Sequence, residues 1–116
     1  MKGDERDAVL IEYMLECIGR IERYLPGGRN DFFASELTRD AVVRNLQTLA
    51  ESSQRLSDEY KKSRPEIDWR AMAGFRNILV HDYLGLDLNL IWLVIENELP
   101  PLKKALEGIG KPLALK

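Results

Sequence analysis

The chain has 116 residues, 45% of them apolar and 31% charged, which suits one packed domain and excludes a disordered segment. Its net charge of −2 excludes a bulk polycation that coats nucleic acid, so any such contact needs a local cluster of basic groups. A single cysteine, Cys17, excludes an internal disulfide and reads as a small core residue in a reducing compartment.

The opening "MKGDERDAV" is charged and lacks the apolar run of a signal peptide, so a cytoplasmic protein without membrane attachment is expected. Ile11, Met14, Leu15, Ile18, Ile21 and Leu25 recur at helical spacing, which predicts a first helix ending at "LPGGRND". A second apolar stripe, Val42, Leu46, Leu49, Ser53, Leu56 and Tyr60, predicts a helix to about residue 62, with Ser35 or Thr38 as its N-cap. Asp68 is the expected cap of a third helix, with Ile67 and Met72 spaced as a hydrophobic staple, and that helix should break near Gly85. Asp87 can cap a fourth, "LNLIWLVIENEL", whose buried face is Ile91, Val94, Ile95 and Leu99. Pro100 and Pro101 should interrupt it before a short last helix, "LKKALEGIG". No segment alternates with period two. The expected fold is all-α: a single domain over residues 1–116, an antiparallel four-helix bundle with a short additional C-terminal helix.

Chemistry concentrates in the third helix, in "RNILVHDY" at residues 76–83. His81 is the only histidine, so with Cys17 far away no zinc site is expected, and Ile78 stands where a bundle di-iron motif needs glutamate. No cofactor is expected. At about 100° per residue, Arg76 and Tyr83 share one helical face and Asn77 and His81 another, with Arg76 and His81 roughly 140° apart. The two groups can cooperate if the helix ends or distorts near His81, or if two copies meet across a two-fold axis. An imidazole that titrates near neutrality can take a proton from a ribose 2′-OH, and a guanidinium can grip phosphate oxygens with two parallel bonds. Asn77 can orient either the imidazole or the phosphate. A buried histidine satisfied by a nearby arginine is the bland alternative.

Three other features have bland readings. Lys61, Lys62 and Arg64 fit a helix C-terminus with solvated side chains better than an RNA-guiding patch. Trp69 and Trp92 fit core or interface better than base stacking, and Glu51 alone reads as a solvated mid-helix residue.

"FRNILVHDY" resembles the R-x4-6-H signature of the HEPN superfamily, in the R-N-x-x-x-H-x-Y form of HepT-like toxins, and the similarity extends over nearly the whole chain. "TRDAVVRNLQTLAESSQRL" resembles the family's second helix, although "LAESS" replaces its usual Gly-Glu-Ala step and keeps only Glu51. The resemblance implies a metal-independent ribonuclease toxin with Arg76, His81 and Asn77 at the catalytic site and Glu51 in support. It also implies a homodimer with the motifs at the dimer cleft, an RNA substrate, and a minimal nucleotidyltransferase antitoxin that transfers AMP to Tyr83. An alternative within the same fold is a non-catalytic module that binds a nucleotide or presents a substrate to a nucleotidyltransferase.

Overall fold

The computed structural model describes residues 3–81, 85 and 87–115, with side chains described over 5–79, 85 and 87–108. Its elements are α1 (Gly3–Tyr24), α2 (Arg29–Ala34), α3 (Glu36–Gln54), α4 (Asp58–Ser63), α5 (Trp69–His81), α6 (Leu88–Asn97) and α7 (Leu99–Leu115), and no strand occurs among the described residues. The all-α bundle expected from the sequence is therefore the fold. α1 packs along α3, α3 along α5, and α7 closes on α1 and α6.

Local chemistry sets the helix ends. The Ser35 hydroxyl accepts the Thr38 N–H at 3.1 Å and starts α3. Asp68 accepts the Ala71 N–H at 2.9 Å and starts α5, and Asp87 accepts from Asn89 and Leu90 and starts α6. Between α1 and α2, Gly28 adopts φ 64°, a left-handed conformation that a side chain would strain.

The predicted stripes are the buried faces. Met14, Ile18 and Ile21 of α1, Val42 and Leu46 of α3, and Leu102 and Leu106 of α7 are almost wholly inaccessible. Each such side chain contributes roughly 1.5–3 kcal/mol by leaving water. Phe32 of α2 is also fully buried and stacks obliquely on Trp92 at 5.9 Å, which makes that tryptophan a core residue as expected. Cys17 is buried as well, and desolvation pushes its thiol pKa up. Within α5 one described side chain, Leu79, is completely buried.

A short helix not expected from the sequence, α2, starts inside the predicted turn and ends before the Ser35 cap, and two predicted boundaries also differ. The second predicted helix does not run unbroken to residue 62. It stops at Gln54, where the Arg55 and Leu56 N–H groups tighten onto the Ser52 and Ser53 carbonyls. Ser57 is extended, and its hydroxyl accepts the Tyr60 N–H to begin α4. The cause lies fifty residues away. The buried carboxylate of Asp7 accepts both the Ser57 N–H at 2.9 Å and the Ser57 hydroxyl at 2.5 Å. Ser53, Leu56 and Tyr60 are buried on both sides of the break, so the apolar period passes through it unchanged. The second difference is at the prolines. Pro100 and Pro101 sit in the first turn of α7, where no helical N–H is needed, and α7 runs for 17 residues rather than forming a short tail.

Ser57→Ala removes a helix cap and leaves the buried Asp7 carboxylate short of its hydroxyl donor. The expected loss of stability is about 1–3 kcal/mol, read from the urea midpoint with an unchanged slope.

Candidate functional site

The site is built on the seam between α3 and α5. Leu79 anchors α5 in the core from one side of the helix. From α3, Gln47 donates its side-chain N–H to the Leu79 carbonyl at 3.0 Å. One turn further along α3, Glu51 meets Arg76, which lies one turn earlier on α5. The two contacts run in opposite order along the two helices, so α3 and α5 are antiparallel here.

Arg76 is held as a fork. Its Nε donates to Glu51 Oε2 at 3.1 Å and its Nη2 to Glu51 Oε1 at 2.9 Å, and Nη1 donates to Asn77 Oδ1 at 3.1 Å. Three of the five guanidinium N–H groups are thus engaged among the described residues, and the other two are on the terminal nitrogens. The arginine side chain keeps 31% of its accessible surface and the glutamate 50%, so the pair lies at the surface and can meet a ligand. The Arg76 hydrogen bonds hold the Glu51 carboxyl below its usual range, and Glu51 in turn raises the Arg76 pKa. Reading Glu51 as a solvated mid-helix residue misses this contact; the family pattern alone points to it.

Asn77 is exposed and touches Arg76. His81 is the last residue of α5, and its side chain lies outside the described residues. Tyr83 lies outside them altogether. The structure thus brings Arg76, Asn77 and Glu51 together and places the His81 backbone on the same helix, five residues beyond Arg76.

Other polar groups singled out in the sequence have structural occupations. Trp69 donates its ring N–H to the Lys61 and Arg64 carbonyls and sets its ring edge-on to Tyr60, pinning the start of α5 to the end of α4. Lys61 and Lys62 lie in the last turn of α4, where their charge suits the helix dipole. Gln47 had no signal in the sequence, because a glutamine on a half-buried helical position is unremarkable until its acceptor is known. No three His, Cys, Asp or Glu side chains among the described residues are grouped to hold a metal ion. No described helix is long and apolar enough to cross a membrane.

Fold and site together define a small all-α protein whose polar chemistry is gathered on one helix pair. A family model described as ribonuclease HepT-like matches residues 14–109. The chain is 36% identical over 112 residues to "Probable ribonuclease HepT" of Thermococcus cleftensis, covering 96% of this chain and 100% of that protein. It is 35% identical over 78 residues to "Putative RNase MJ1380" of Methanocaldococcus jannaschii, covering 67% of this chain and 72% of that one. A third relative, "Gamma-glutamylcyclotransferase and putative RNase MJ0434" of the same organism, is 33% identical over 106 residues, 90% of this chain but 48% of its own length. No solved structure gives a significant match. The chain belongs to the HepT-like ribonuclease family.

The Glu51 carboxyl is expected to titrate below the usual glutamate range in the native protein and to return to it in Arg76→Ala, as followed by carboxyl carbon NMR. The sign follows from the depressed folded-state pKa. The tie is at full strength above the unfolded-state pKa of glutamate and is lost as pH falls through the lower, folded value. A midpoint that does not move in Arg76→Ala rules out the pairing.

Proposed function

We propose that this chain is a metal-independent endoribonuclease and the toxin of a toxin–antitoxin module. The observation that carries the reading is the Arg76 guanidinium, fixed by Glu51 and Asn77 on the helix that also bears His81, in a chain of the HepT-like ribonuclease family. Arg76 grips a non-bridging oxygen pair of the scissile phosphate through its unengaged N–H groups and stabilises the charge that builds up there. His81 takes the proton from the ribose 2′-OH, the 2′-oxygen forms a bond to phosphorus, and the bond to the 5′-oxygen breaks. That oxygen takes up a proton as it leaves, giving a 2′,3′-cyclic phosphate and a 5′-hydroxyl. Glu51 and Asn77 act as positioning residues, because a guanidinium fixed in advance loses less rotamer freedom when the phosphate arrives.

The protein acts as a homodimer in this reading. Ile78 of α5 and Leu90 and Leu93 of α6 are exposed apolar side chains on the two helices that would form the interface. A two-fold axis there brings the arginine of one subunit toward the histidine of the other, which answers the divergence of the two groups on a single helix. A minimal nucleotidyltransferase antitoxin silences the enzyme by adding AMP to Tyr83, whose phosphate charge and bulk keep RNA from the cleft.

His81→Ala is expected to abolish cleavage with the fold intact, and Arg76→Lys to fail badly, since a point charge cannot reproduce the fork. Cleavage should persist in EDTA and leave the cyclic phosphate. Leu93→Glu should yield a monomer by sedimentation, with cleavage lost. A magnesium requirement, or a wild-type monomer at micromolar concentration, counts against this mechanism.

Control of the enzyme has its own readout. Intact mass after incubation with the cognate nucleotidyltransferase and ATP should show an AMP adduct on the native protein and none on Tyr83→Phe, which keeps the ring and much of the activity. An adduct on the phenylalanine variant would falsify this account of silencing.

A further inference from the structure

We infer that Gln47 is a positioning residue for the cleavage reaction. Its bond to the Leu79 carbonyl holds the stretch of α5 that runs from Arg76 to His81. The inference rests on the ribonuclease reading for its reaction and on the contacts of α5 for its residue.

α5 is loosely packed over its middle. Met72 and Phe75 are only half-buried against the core. Both line a largely apolar cavity of about 30 Å³, which Leu46 and Leu49 of α3 and Leu102 of α7 also line. Close packing resists displacement because every shift costs contacts, and side chains beside a void lose part of that resistance. Apolar contact along this stretch therefore sets the depth of the helix better than its position along or about its own axis.

Directional hydrogen bonds supply what this packing lacks, and they stand on either side of the cavity residues. At the start of α5 the Trp69 ring N–H donates to the Lys61 and Arg64 carbonyls at 3.0 and 3.1 Å. Further along, Gln47 donates to the Leu79 carbonyl at 3.0 Å. Leu79 follows Arg76 by three residues and precedes His81 by two, so this bond sits inside the segment that carries both catalytic groups of the proposed reaction. The Glu51–Arg76 pair is no substitute, because two long side chains at the surface can follow a shifted backbone. Gln47 instead grips the main chain itself. It fixes the backbone from which both side chains project, and a working site needs its groups held to about 0.5 Å.

The test compares two variants of the full-length protein. Gln47→Met keeps the length of the side chain and loses the donor. Asn45→Leu removes a side-chain bond to the Ala41 carbonyl, a bond that stays within α3. In steady-state RNA cleavage, Gln47→Met is expected to lose about 10–100-fold in kcat, with KM changed by less than about two-fold. Asn45→Leu should keep the wild-type kcat. NMR separates positioning from a general loss of structure. His81 is the only histidine, so its imidazole C–H signals are identified without ambiguity. They should shift or broaden in Gln47→Met while the Trp69 ring N–H signal stays in place. A wild-type kcat in Gln47→Met overturns the inference and leaves the ribonuclease reading standing. So does a loss shared by Asn45→Leu, or a Trp69 signal that moves along with those of His81, since either marks a general structural role. A wild type that does not cleave RNA defeats both.

Discussion

Everything at the site depends on how α5 is held against α3. Two contacts of different kinds fix that docking: Leu79 buried in the core, and Gln47 of α3 holding the Leu79 carbonyl. The first sets the depth of α5, because truncating a fully buried leucine costs about 2–5 kcal/mol, and Trp69, Met72 and Phe75 pack half-buried against the same core. The second fixes its axial position, because a directional hydrogen bond tolerates little sliding. With depth and axial position settled, the Arg76 fork meets the Glu51 carboxylate without any further adjustment.

That order of causes explains why an exposed ion pair is worth attention here. A surface salt bridge between free partners contributes roughly 0–1 kcal/mol and is weak evidence for anything. The Glu51–Arg76 pair joins two helices already docked, so its effect is on direction rather than on stability. It fixes where a positive charge points, and Asn77 on the next residue narrows that further. The guanidinium is preorganised by neighbours on both helices.

Much of the fold was legible because it is written locally. Apolar stripes of α1 and α3, the caps at Ser35, Asp68 and Asp87, and the turn at Gly28 all depend on residues within one or two helical turns. The break at Ser57 was not legible, since its partner Asp7 is fifty residues away and the apolar period runs straight through. The prolines misled in a related way. Proline ends a helix from inside but opens one from its first turn, and sequence alone does not say which turn it is in. At the site, Arg76 and Asn77 were legible as chemistry. Gln47 was silent, because an amide gains meaning only when its acceptor is placed, and Glu51 spoke only through the family pattern.

The thin anchoring of α5 has a consequence for how the molecule comes apart. α1 and α3 each bury several large side chains outright, whereas the described part of α5 fully buries Leu79 and packs Trp69, Met72 and Phe75 only half-buried against the core. Local opening free energies follow such burial, so α5 belongs to a cooperative unit that detaches at lower cost than the α1–α3 pair. The protein can therefore lose its site while keeping most of its fold. Heat or mild denaturant would produce an inactive form that is still largely helical and that recovers by redocking one helix, rather than by refolding the chain.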